Sequence, residues 1–182
     1  MPIIKTNIST YQLTNLGPYA LNGFPYTKET RVSVFKRVRR LQRQSQTVEV
    51  RPSTIPGAGL GLFAKNNFAG RKETKLGKKP GEKIVPYAGR LIDTETEELP
   101  SDKTYVLQLD ARYFVDAQDY RLSSLGRYAN CSAQIDQRNK LTKGNNAEFA
   151  IDVAKQTGWI RAKKPIKAGE EIFVSYRRPC KK

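Results

Sequence analysis

Between Leu125 and Gln134 the chain reads LGRYANCSAQ, which places Arg127, Tyr128, Asn130, Cys131 and Ser132 within six positions. A guanidinium, a phenol, an amide, a thiol and a hydroxyl this close together offer donors and acceptors for a polar ligand. The sequence contains no histidine. The usual general base near neutral pH is therefore missing, and Ser-His and Cys-His nucleophile arrangements are excluded. The second cysteine, Cys180, is far away in the sequence, so no zinc site of known spacing can be assembled and no metal is expected. Two other stretches carry chemistry-bearing residues. PGAGLGLFA, Pro56 to Ala64, sets glycines at 57, 59 and 61. A dinucleotide fingerprint would need a further glycine at 62 and a helix after it, but position 62 is Leu and the pattern continues as strand. Such a turn either lets a ligand lie against main-chain N–H and C=O groups or is an ordinary bulged β-turn. AGEEIFVSY joins a turn, two acids and an apolar strand to the phenol of Tyr176.

The elements that must position these groups are mostly strands. TVEV, GLGLFA, KIVPYAGRLI, TYVLQLD, RYFVDA, NAEFAIDVA, GWIRAKKPI and EEIFVSY are short runs rich in Val, Ile, Tyr and Phe. Turn residues bound most of them, among them Pro56-Gly57, Pro80-Gly81, Gly144-Asn145 and Ala168-Gly169. The expectation is a mostly β body with few short helices, one of them a turn or two within AQDYRLSSLGRYA. NNFAGRKETKLGKKPGEK reads as a mobile basic loop. Residues 1–46 differ: after scattered turn residues, VFKRVRRLQRQ spaces Val34, Val38 and Leu41 as one face of a short basic helix. That helix is either a solvated element packed by its three aliphatics or an arm gripping DNA phosphates.

The chain has 182 residues, room for one domain with a real core plus an appendage. Its 33 Lys+Arg against 17 Asp+Glu give a net charge of +16. Such a field favours nucleic acid or acidic protein faces. No window reaches the ~18 apolar residues of a membrane span, and the N-terminus lacks the apolar run of a signal peptide. A nuclear or chromatin-associated location is expected, with the cytosol as the alternative and secretion excluded. In either compartment Cys131 and Cys180 are expected to be reduced.

Taken in order, the motifs resemble the SET-domain family of protein lysine methyltransferases over roughly residues 47–178, leaving a basic extension at 1–46 and a short basic tail at 179–182. IPGAGLGLFA is similar to the family's Gly-x-Gly turn, and GEKIVPYAGRLI to its following strand pair. TYVLQLDARYFVDA resembles the central hairpin, LGRYANCS the x-A-R-F-x-N-H-S stretch, and NNAEF the next short motif. KKPIKAGEEIFVSY is similar to the segment that ends on the family's active-site tyrosine. The resemblance implies small curved β-sheets with a C-terminal pseudoknot, in which the final segment threads beneath a preceding loop. It also implies S-adenosyl-L-methionine as cofactor, entering from the face opposite the substrate, with no zinc in so compact a member. By resemblance, Ala58, Gly59, Leu60, Arg127, Asn130 and Cys131 hold the cofactor, and Tyr128 and Val174 line the substrate channel. Tyr105 and Tyr176 stand at the methyl-transfer point.

The chain departs from the family pattern in three places. Cys131 stands where the family has His, AQIDQRNKLTK is inserted ahead of GNNAEF, and RRPCKK replaces a cysteine-rich zinc segment. Another element, a partner or self-association is then expected to close the channel. The resemblance implies methylation of a lysine on a histone tail, with nucleosomal DNA held by the basic arm. A non-histone protein substrate is the first alternative. A catalytically inactive SET fold that binds chromatin or nucleic acid through charge is the second.

Overall fold

The computed structural model describes residues 28–75, 77–131 and 144–176. Ser132, the insertion at 133–143, the tail containing Cys180 and residues 1–27 of the basic extension lie outside them.

The basic run forms helix α1, Lys28–Gln44, longer at its start than the spacing of aliphatics alone predicts. Val34 and Val38 are buried in the same core as the strands, and Leu41 packs at its edge. Lys65 closes the helix end by donating Nζ to the carbonyls of Gln42 (3.1 Å) and Ser45 (2.6 Å). A cation there complements the negative end of the helix dipole. The Ser45 hydroxyl accepts from the Val48 amide at 3.2 Å, turning the chain directly into the first strand.

Among the described residues ten short strands follow. β1 (Val48–Pro52) pairs antiparallel with β2 (Leu60–Ala64), running from Val48 opposite Ala64 to Pro52 opposite Leu60. All of β2 is buried, which explains why GLGLF lacks polar alternation. The stretch expected to be a mobile loop instead folds as a hairpin of β3 (Lys72–Thr74) and β4 (Gly77–Lys79). β5 (Lys83–Tyr87) and β6 (Arg90–Asp93) diverge into different sheets. β6, β8 (Tyr113–Asp116) and β7 (Val106–Gln108) form one sheet with β8 central. β5, β10 (Thr157–Ala162) and β9 (Ala147–Asp152) form another with β10 central. Between β8 and β9, the expected short helix is a single 3-10 turn, Leu125–Tyr128. Leu62, Ile160, Ile166, Ile172, Val48, Val50 and Val174 are the largest fully buried side chains of the core that these sheets and α1 share. No helix among the described residues is long and apolar enough to cross a membrane.

EEIFVSY does not form the strand that its composition predicts. It makes isolated bridges instead, Phe63 to Glu171 antiparallel and Asn130 to Phe173 parallel. The reason is that its backbone serves several partners in turn. The Ile172 amide donates to the Leu62 carbonyl at 2.7 Å, and the Val174 amide to the Asn130 carbonyl at 2.9 Å. The Phe173 carbonyl accepts from the Ala147 amide at 2.9 Å. No single neighbour runs alongside long enough for a regular ladder.

On the outer sheet, Glu148 of β9 accepts hydrogen bonds from Arg71 Nε (2.9 Å) and Arg161 Nε (2.6 Å). Partial burial pushes its carboxyl group up, but the two guanidinium groups outweigh this and hold it below the usual range. A depressed folded-state value contributes stability above the unfolded value, near pH ~4.3, and that contribution is lost as pH falls through the folded value. The urea midpoint of the wild type should therefore exceed that of Glu148→Gln at neutral pH, and the gap should close at acid pH. A gap independent of pH would assign the effect to packing.

Candidate functional site

The groups singled out from the sequence converge around the threaded segment. Gly59 adopts φ +73 and Gly57 φ +76, left-handed conformations that favour glycine. Their turn is closed by the Ser53 amide donating to the Gly59 carbonyl at 2.9 Å and the Ala58 amide to the Ile55 carbonyl at 3.1 Å. Leu60 is buried at the start of β2, and Ala58 and Gly59 are half-buried beside it.

Asn130 connects this turn to the threaded segment. Its amide nitrogen donates to the Leu60 carbonyl (3.0 Å), the Ser53 hydroxyl (3.2 Å) and Glu171 Oε1 (3.3 Å). The donor expected to face a ligand is thus committed to the protein floor. Glu171, only 5 % exposed, is the group around which the floor is organised. Its Oε1 accepts from the Ser53 hydroxyl at 2.7 Å, and its Oε2 from the Thr54 amide (2.7 Å) and hydroxyl (2.6 Å). Gly61 lets it pass, because a Cβ there would sit 2.2 Å from Oε1. Asn146 holds the segment from the other side. Its Oδ1 accepts from the Phe173 amide and its Nδ2 donates to the Glu171 carbonyl, both at 2.8 Å.

Tyr176 ends the segment, and its hydroxyl donates to the Ala129 carbonyl. Tyr105 is buried. Its carbonyl accepts from the Tyr87 hydroxyl at 2.9 Å and from the Ala117 amide at 3.1 Å. The Arg127 guanidinium lies 4.6 Å from the Tyr105 ring centre and 5.4 Å from that of Tyr128. Its Nε is buried and has no hydrogen-bond partner among the described residues. A buried donor without a partner is costly, so this is a place where an incoming acceptor would bind favourably. Burial raises the hydroxyls of Tyr87, Tyr128 and Tyr176. Tyr176 is pushed further by Tyr105. The phenols therefore stay neutral and serve as donors and acceptors rather than as bases. Val174, two residues before Tyr176, is fully buried in the core.

The structure thus places Tyr105, Arg127, Tyr128, Asn130 and Tyr176 around one threaded segment, with Ala58, Gly59 and Leu60 at the adjoining turn. Cys131 corrects one expectation: it is disulfide-bonded rather than reduced. Its side chain is therefore not an available thiol. Sequence reasoning missed Glu171, Asn146, Ser53, Thr54 and Tyr87. Glu171 reads in sequence as a solvated turn acid, and only the distant Ser53-Thr54 pair gives it a buried role. Asn146 lay within a quoted motif that had no chemistry attached to it. Among the described residues no three metal-ligating side chains cluster.

A family model described as the SET domain matches residues 59–177. No curated protein matches the sequence. Among solved structures, the methyltransferase domain of human PR domain-containing protein 2 aligns with a TM-score of 0.47 at 17 % identity. That alignment covers 93 % of this chain and 90 % of that one.

Removing the Glu171 side chain strands at least the Thr54 amide and weakens the hold on Asn130. Glu171→Ala should cost about 2–4 kcal/mol in urea unfolding, because Glu171 accepts several hydrogen bonds and each one to a charged group contributes ~1.5–3 kcal/mol. Glu171→Gln should lose less, since one acceptor oxygen survives. Equal losses in both variants would place the effect on packing rather than on the hydrogen bonds.

Proposed function

The chain belongs to the SET-domain family of protein lysine methyltransferases, and we propose that it transfers a methyl group from S-adenosyl-L-methionine to a lysine of a histone tail. One observation carries this reading: the Tyr176 hydroxyl donates to the Ala129 carbonyl close to the phenols of Tyr87 and Tyr105. The hydroxyl and carbonyl oxygens each keep a lone pair for a further donor.

The residues present fit the cofactor. The unpartnered Arg127 Nε suits a carboxylate, and the left-handed turn at Gly57 and Gly59 suits a ligand against main chain, with open space beside Gly57. The cofactor supplies a methyl group already activated by its sulfonium. The protein then needs no strong base, which agrees with a sequence lacking histidine. Tyr176, kept neutral by burial, donates its proton to Ala129 and can accept from the incoming amine. The aromatic rings strip water from the lysine stem, which favours the neutral amine. The chain's own residues would contribute orientation: Tyr176 and the Ala129 carbonyl would hold the amine towards the methyl carbon, an alignment of the kind that lowers a barrier by several kcal/mol, and the proton shed by the amine would leave to solvent.

A histone tail is basic, as is this chain, so a free tail gains no electrostatic attraction. Lys36, Arg39, Arg40 and Arg43 on exposed positions of α1 support a reading in which nucleosomal DNA is held beside the enzyme. The elevated local concentration would offset the repulsion.

Tyr176→Phe should retain the fold and bind S-adenosylmethionine within a few-fold, while single-turnover transfer falls about 100-fold. A heat signal absent from wild-type titration with the cofactor would sink the enzyme reading. Transfer to intact nucleosomes should weaken more steeply with salt than transfer to the tail peptide, as counterion release at phosphates requires. Equal salt slopes would remove DNA from the reading.

A further inference from the structure

The β3–β4 hairpin has no evident purpose within the fold. Every described residue of both strands is exposed, so it adds nothing to the core. A two-stranded hairpin is marginal alone, and ordering it costs conformational entropy. Yet its base is secured: Arg71 is held by Glu148, and the Arg71 amide donates to the Lys163 carbonyl at 3.2 Å.

From that base a second exposed strip runs back towards α1. Residues 65–71 lie against 163–169. The Phe68 and Ile166 amides each donate to the other's carbonyl at 2.8 and 3.0 Å, and the Gly169 amide donates to the Ala64 carbonyl at 2.8 Å. The strip bends around the isolated Phe68–Ile166 bridge. It ends where Lys65 caps the helix.

The hairpin and strip are strongly basic. Lys72, Lys75, Lys79, Lys163, Lys164 and Lys167 are all exposed. Among the described residues none of the six is within ion-pair distance of an acid. The acids on the same segments are engaged elsewhere. Glu73 pairs with Lys78 at 3.6 Å, Glu148 with Arg71 and Arg161, Glu82 accepts from the Ala69 amide, and Glu170 accepts from the Lys167 amide. The two amide side chains here each make one hydrogen bond to main chain. Asn66 donates to the Gln46 carbonyl and Asn67 accepts from the Ala168 amide.

We infer that the β3–β4 hairpin and the 163–167 strip form a docking surface for the phosphate backbone of duplex DNA, separate from α1. Duplex DNA carries one charge per ~1.7 Å of axis, a dense row of phosphates for six exposed lysines on adjoining segments. Lysines satisfy phosphates as point charges without a fixed fork geometry. Contacts of this kind go to phosphates and carry no sequence information, so binding is independent of sequence. A hairpin that projects from the body without burying anything is justified by contacts made outside the chain.

The test uses the full chain and two labelled duplexes of unrelated sequence, followed by fluorescence anisotropy from about 50 to 200 mM salt. Two triple variants are compared with wild type: Lys72→Gln, Lys75→Gln, Lys79→Gln, and Lys163→Gln, Lys164→Gln, Lys167→Gln. Each should keep the wild-type melting temperature and lower the slope of log K against log salt by about 2–3, at ~0.9 per lost phosphate contact. Both duplexes should behave alike. Unchanged slopes in both triple variants would overturn the inference. So would loss of binding only on substituting Lys36, Arg40 and Arg43 of α1, which would leave the arm reading standing. Binding to duplex RNA but not to DNA would equally overturn it.

Discussion

Everything at the site depends on residues 171–174 being held by three distant parts of the chain at once. Leu62 accepts from Ile172, Asn130 accepts from Val174, and Ala147 donates to Phe173. A strand with one neighbour can slide in register or fray, whereas a segment bonded on several sides in different registers cannot move without breaking all of them. That is why a site built largely from turns can still be rigid. Glu171 adds a side-chain lock to this backbone lock by reaching past Gly61 to Ser53 and Thr54. The cost is kinetic. These contacts join residues far apart in sequence, so loop closure must precede their formation, and such topologies fold slowly.

The lock also determines the chemistry available. Tyr176 follows directly on the held segment, so its hydroxyl is delivered to the Ala129 carbonyl by backbone placement rather than by a flexible side-chain search. Burial keeps that hydroxyl and its neighbours at Tyr87 and Tyr128 protonated. A cluster of neutral phenols is a poor acid–base device, but it offers aromatic faces for a cationic centre and oxygens that orient an amine. Orientation is what the proposed transfer of a pre-activated methyl group would require, and that needs no histidine.

Much of this was legible in the sequence, and the limits of its legibility are physical. The strand runs and the 3-10 turn follow from local composition, and α1 from the spacing of Val34, Val38 and Leu41. The meeting of the Asn130 stretch with the Tyr176 stretch came from resemblance, because periodicity carries no information about which strands become neighbours. The β3–β4 hairpin was misread as a loop because its residues bury nothing, and burial patterning is the main signal by which strands are recognised. EEIFVSY erred in the opposite direction: strand composition met a position with too many partners for a ladder. Glu171 is hidden because a buried acid is recognisable only from its donors, and the shortest of these, from Ser53 and Thr54, come from more than a hundred residues earlier.

The distribution of acids explains why the protein can be so basic outside and still hold a defined interior. Glu148 lies between Arg71 and Arg161, Asp93 holds Arg112, and Asp119 holds Arg121. Glu171 is buried with hydroxyls and amides. With 33 basic and 17 acidic residues, acids committed in this way leave the basic excess exposed. A surface of that sign cannot attract a basic polypeptide by its own field. On the function proposed above, selection among basic substrates would then fall to contacts beside the tyrosine cluster, or to a polyanion that holds enzyme and substrate together. The two tasks would separate in space: the neutral tyrosine cluster would discriminate, and the lysine-bearing exterior would recruit.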